Sequence, residues 1–107
     1  MSRFTSCLNK GFSMEFENGF RISVQWGIGN YCEVREKDAY DAPQKQDFWD
    51  STNAEIAVFD NDGGLIELND DMVAGWLSTD TVAKVITIVS SAKTAKEITL
   101  KCKALNL

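Results

Sequence analysis

The chain contains no histidine. That removes the usual proton carrier near neutral pH and excludes Ser-His-Asp and Cys-His nucleophilic arrangements. Cysteine is sparse too: Cys7, Cys32 and Cys102 are odd in number, far apart and without Cys-x-x-Cys spacing. Reduced thiols are expected, with neither a disulfide framework nor a soft-ligand zinc cluster. Basic residues are few, eleven Lys and Arg against sixteen Asp and Glu for a net charge of −5. Duplex nucleic acid is bound through a basic face that releases counterions, so a direct duplex binder is excluded. No apolar run approaches a membrane span, and residues 1–10 lack the apolar stretch of a signal peptide. The expectation is a soluble cytoplasmic protein without a membrane partner.

What is present suits one small domain of 107 residues, 44% apolar and 25% charged. Its most informative stretch is 12–32. Phe12, Met14 and Phe16 alternate before Asn18-Gly19, and Phe20, Ile22, Val24 and Trp26 alternate after it, the period of strands with one buried face. A two-residue Asn-Gly loop would set Phe16 against Arg21 and divide the apolar set between the faces. A three-residue loop, Glu17-Asn18-Gly19, instead sets Phe16 against Phe20, Met14 against Ile22 and Phe12 against Val24.

Residues 1–10 read as a loose N-terminal arm or a short edge segment. The stretch 33–53 holds the only proline, Pro43, and reads as a long loop. Either its own Tyr40, Phe48 and Trp49 pin it down, or it serves as a binding lid or partner surface. Ala54 to Asp60 and Leu65 to Leu68, separated by Asn61-Asp62-Gly63-Gly64, predict a second hairpin. Val73, Gly75 and Trp76 fall in a further short strand. Ser78 is a helix N-cap, with Asp80 in the first turn, Leu77 and Val82 as a staple, and Val82, Val85, Ile86 and Val89 on one face. The competing reading is a buried strand through Val85 to Val89. From Glu97 to Leu105, Ile98, Leu100, Cys102 and Ala104 alternate with Thr99, Lys101 and Lys103, which predicts a final strand with a basic outer face. The fold expected is α+β: an antiparallel sheet of two hairpins plus a C-terminal strand, with one helix packed on one face.

Few residues suggest chemistry. Asp60 and Asp62, with Asp70 and Asp71, lack calcium-loop spacing and read as turn residues, so no metal and no cofactor is expected. Gly27-Ile28-Gly29 lacks the further glycine or the Gly-Lys-Ser/Thr of a nucleotide loop. A smaller reading survives, in which amides freed by Gly27 and Gly29, the amide of Asn30, the Tyr31 ring and the Arg35 guanidinium hold a planar or anionic ligand. Its competitor is a tight turn whose Tyr and Cys face the core. One or two of Trp26, Trp49 and Trp76 line a pocket or subunit contact on one reading, and they sit partly buried at the margin of the core on the other.

Residues Asn18, Gly19, Ile22, Ser23, Val24, Gln25, Trp26, Gly27, Gly29, Asn30, Tyr31 and Cys32 form a segment similar to one in a family of small tailed-phage accessory proteins that carry no assigned activity. The resemblance continues at Trp49, in Ala54 to Asp60 and in Gly75-Trp76-Leu77-Ser78, covers about residues 11–90, and does not extend beyond Lys93. It implies a phage or prophage origin and action in the host bacterial cytoplasm. For that class the leading expectation is a non-catalytic, homo-oligomeric counter-defence protein that sequesters a small nucleotide-like signal. The ligand-binding set is then Trp26, Gly27, Gly29, Asn30, Tyr31, Arg35 and Trp49. The alternatives are an inhibitor that binds a host or defence protein through its acidic surface and the 33–53 loop, an enzyme using carboxylates such as Glu33 or Asp60, and a minor virion or assembly component.

Overall fold

The structure, a computed structural model, describes residues 2–7, 10–35 and 50–107; Tyr40, Pro43, Phe48 and Trp49 lie outside the described residues. Five strands, β1 (Arg3–Ser6), β2 (Gly11–Glu15), β3 (Arg21–Gln25), β4 (Asn53–Phe59) and β5 (Val73–Ser78), pair in sequence order as one antiparallel sheet. Helices α1 (Thr79–Ser91) and α2 (Ala95–Ala104) follow. The class is α+β, as the alternation patterns predict.

The β2–β3 hairpin has the register that the apolar pattern demands, with Phe12 opposite Val24 and Met14 opposite Ile22. Its loop is Glu17-Asn18-Gly19, closed by Phe16 N–H to the Phe20 carbonyl at 2.9 Å, and Gly19 takes the left-handed conformation, φ +91°. Asn18 does more than turn the chain. Its Nδ2 donates to the Val89 and Ala92 carbonyls at 2.8 and 2.9 Å, adding a side-chain donor at the C-terminal end of α1, where the Val89 carbonyl also accepts from the Ala92 N–H of the cap. The hairpin turn is thereby fastened to a helix more than seventy residues further on.

Helix α1 starts as expected. Ser78 is the N-cap and its Oγ accepts from Thr81 N–H at 3.2 Å. Val82, Val85 and Val89 are buried against Ile22, Val24, Ile56 and Val58, and each fully buried side chain of this kind contributes about 1.5–3 kcal/mol. The helix packs on β3, β4 and β5. Packing overrides the poor helix propensity of the β-branched run.

Of the two readings of residues 1–10, the short edge segment is the one seen, as β1. Two expectations are revised. The second hairpin shrinks to a bridge between Phe59 and Leu65 and a hydrogen bond from Ile66 N–H to the Val58 carbonyl, 2.8 Å. Beyond that point β5 occupies the flank of β4, while Ile66 and Leu68 turn into the core. The C-terminal strand is the helix α2. Thr94 caps it by accepting from Glu97 N–H at 3.2 Å, and Glu97 pairs with Lys101 one turn on at 3.0 Å. The Lys101 hydrogen bond, followed by that from the Lys93 amide, holds the Glu97 carboxyl below its usual range. Ile98 and Cys102, four apart, are fully buried, whereas Leu100 is 58% exposed; a strand would have buried all three on one face.

Candidate functional site

The site is assembled from the loop after β3 and an irregularity in β5. Between Ala54 and Ile56 the β4–β5 register shifts, so Gly75 and Trp76 together oppose Glu55. This is a β-bulge, a device that re-aims a side chain. Trp76 is held at φ +52°, a left-handed conformation that costs a non-glycine residue about 1–3 kcal/mol. Its N–H donates to the Tyr31 carbonyl at 2.8 Å, bringing the loop against the outer edge of β5. Gly75 is required at this approach, because a methyl group there would collide with the Tyr31 Cβ and carbonyl.

Glu55 secures the loop from the other side. Its carboxylate accepts from Tyr31 N–H at 2.8 Å and from Asn30 Nδ2 at 3.3 Å. Asn30 is buried, donates also to Gln25 Oε1 at 3.1 Å, and accepts from Gly27 N–H at 2.9 Å. Cys32 and Val34 are buried beneath the loop, and burial raises the Cys32 thiol above its ordinary pKa.

On this frame the Tyr31 and Trp76 rings stack, centroids 5.4 Å apart and 24° from parallel. The Arg35 guanidinium lies over the Tyr31 ring at 5.0 Å. Tyr31 is 42% and Trp76 56% exposed. A flat aromatic surface with a cation beside it can hold a planar anion by stacking and charge.

The residues expected to bind a ligand are divided by the structure. Tyr31 and Arg35 come together. Gly27, Gly29 and Asn30 do not offer their amides: Gly27 N–H is bound to Asn30 Oδ1, Gly29 N–H to the Arg35 carbonyl at 3.2 Å, and Asn30 N–H to the Gly27 carbonyl at 3.1 Å. These three donors are satisfied within the loop and are not available to a ligand. Trp26 lies elsewhere, edge-on to Phe12 at 6.3 Å, in an apolar cleft of about 310 Å³ between the sheet and α1 that Leu77, Val82 and Ile86 also line. Glu55 points to the sheet face opposite its neighbours Ala54 and Ile56, so the cleft and the aromatic stack are separate features. Trp49 is outside the described residues.

No known protein family, curated protein or solved structure matches the chain. The assignment therefore rests on the geometry of the site itself. Glu55 is absent from the expected site residues, and Trp76 figures there only among the three tryptophans read for a pocket or subunit contact, not in the ligand-binding set. A glycine inside a strand, Gly75, was the available signal of a bulge or a close backbone approach. Among the described residues no group of three or more Cys, Asp or Glu is placed to hold a metal, and no helix is long and apolar enough to cross a membrane.

Proposed function

We propose that the protein is a non-catalytic, homo-oligomeric binding protein that captures a small nucleotide-like ligand on the Tyr31–Trp76 platform, with Arg35 meeting the anionic part. The observation that carries this reading is the pair of half-exposed stacked rings beside a guanidinium, held by a strained residue. Strain of that kind persists only where the surroundings over-determine it, and it is concentrated at functional positions. The phage resemblance supplies the context, in which sequestration of a nucleotide signal counters a host defence.

Thermal shift against a panel of cyclic and linear nucleotides tests it. A ligand that binds the folded state raises the melting temperature with dose, and Trp76→Ala or Tyr31→Ala removes the shift. Unaltered nucleotide recovered after denaturation identifies capture without turnover. No shift with any nucleotide defeats the reading. One observation favours a second reading: Trp, Tyr and Arg exposed at one spot are also the residue types that anchor protein interfaces. A host or defence protein retained by the wild type and lost on Trp76→Ala identifies that case.

A further inference from the structure

The opposite edge of the sheet carries a different signal. All four residues of β1 are exposed, and among the described residues β1 pairs with β2 alone. Phe4 is opposite Met14, Met14 opposite Ile22 and Ile22 opposite Val58, so Phe4 stands on the face that bears the helices. The helices stop short of it. α1 covers β3, β4 and β5 and α2 packs on α1, leaving Phe4 76% exposed and Phe12, Met14 and Phe16 only partly buried.

Natural edge strands are normally blunted by lysine, proline, a bulge or a covering segment. β1 contains neither lysine nor proline and pairs with β2 without a register shift. Its single charge, Arg3, lies 3.6 Å from Glu15 across the strand pair. In a chain of net charge −5, β1 itself carries no acid, so two copies of this strand meet without carboxylate repulsion between them.

We infer that β1 is a self-association edge, pairing antiparallel with β1 of a second copy about a two-fold axis perpendicular to the sheet. Such an axis keeps the helix-bearing faces on the same side, and residues directly opposite in antiparallel strands share a face. The register with Phe4 opposite Phe4 of the second copy joins the two exposed rings in a cross-strand aromatic pair. It also places each Arg3 opposite Thr5 of the other copy, so the two guanidinium groups do not oppose one another. The two five-stranded sheets become one of ten strands, and the uncovered apolar faces become continuous. This gives the homo-oligomer of the proposed function a specific interface, and it is independent of the ligand: a monomer overturns the interface, whereas an absent nucleotide shift overturns only the capture reading.

A short edge pairing is a small interface of the weak class, so association is measured by sedimentation over roughly 5–200 µM. The wild type is expected to shift from monomer to dimer across that range. Phe4→Lys, on an exposed side chain that leaves far-UV circular dichroism unchanged, is expected to weaken dimerisation at least about tenfold by placing two ammonium groups face to face. In a Cys7→Ser background, Phe4→Cys is expected to give a disulfide-linked dimer under mild oxidation, because directly opposed strand residues lie within disulfide reach, and Thr5→Cys is not. A wild type that is monomeric at the highest concentration overturns the inference and leaves the edge to an extended segment of another protein. A dimer indifferent to Phe4→Lys overturns it as well, and cross-linking through Thr5→Cys in place of Phe4→Cys overturns the register.

Discussion

At the β5 edge a loop lies along the strand, Trp76 N–H is spent on the Tyr31 carbonyl, and a bulge turns the tryptophan ring outward. At the β1 edge, among the described residues, nothing covers the backbone, and a phenylalanine stands 76% exposed on an otherwise apolar row. Both ends of the sheet face the hazard of an unpaired strand, and the difference lies in what each leaves on the surface. The covered edge presents side chains, a flat aromatic stack beside a guanidinium. The open edge presents backbone donors and acceptors. A stack of rings recognises a planar molecule, whereas a bare strand recognises another strand, so a ligand and a second copy can be held at opposite ends of one sheet without competing.

The largest way to break the comparison is Gly75→Val. A side chain at Gly75 meets the Tyr31 Cβ and carbonyl, so the loop must lift from β5 and the covered edge becomes an open one. Overpacking of this kind costs about 3 kcal/mol, read as a melting temperature several degrees lower, whereas Phe4→Lys at the other edge changes monomer stability by less than about 0.5 kcal/mol. Equal effects at the two edges would show that the loop does not depend on its approach to Gly75. Asn18→Ala comes next. It removes the amide that ties the β2–β3 turn to the Val89 and Ala92 carbonyls, for about 1–2 kcal/mol in denaturant unfolding. Hydrogen exchange should then quicken in β1 and β2 before β4, because α1 packs on β3 to β5 and leaves that half of the sheet to the hairpin turn.

Trp76→Gly is expected to move stability by less than about 1 kcal/mol, since relief of the left-handed conformation offsets the lost ring contact. Under the proposed function, nucleotide affinity falls at least about tenfold in the same variant, base stacking on an aromatic side chain being worth about 1–3 kcal/mol. A large stability loss without an affinity loss would mean that the ring serves the fold alone.

How much of this was legible in the chain follows from which interactions are local. The β2–β3 register is forced by apolar alternation around Glu17-Asn18-Gly19, and the start of α1 by Ser78 with Asp80; both are decided within a few residues. Helix α2 looks like a strand in the sequence because Ile98, Leu100, Cys102 and Ala104 occupy every second position. The Thr94-x-x-Glu97 spacing marks the cap that overrides it. The aromatic stack was only half legible. Tyr31 and Arg35 lie within a few residues of the Gly27 and Gly29 pair, but Trp76 reaches Tyr31 through a bulge that depends on the β4–β5 register, a long-range property. The fate of the loop amides was hidden for the same reason, since Asn30 turns inward onto Gln25 and Glu55.

The cysteines report on both edges without disturbing either. Cys7 follows β1 and is partly exposed, Cys32 lies buried in the loop that covers β5, and Cys102 is fully buried on the inner face of α2. The thiolate is the reactive form, so a raised pKa and loss of access act in the same direction. Burial raises the Cys32 thiol and pushes that of Cys102 up to about 11, leaving both protonated at pH 8. With an aromatic disulfide reagent at that pH and low protein concentration, Cys7 should react first, and Cys32 and Cys102 at least about a hundredfold more slowly, through opening of the structure. Gly75→Val should accelerate Cys32 alone, because it detaches the loop at one edge and leaves α2 seated. A Cys32 that reacts as fast as Cys7 in the wild type would mean that the β5 edge is as open as the β1 edge, and the distinction between a ligand end and a self-pairing end would lose its structural basis.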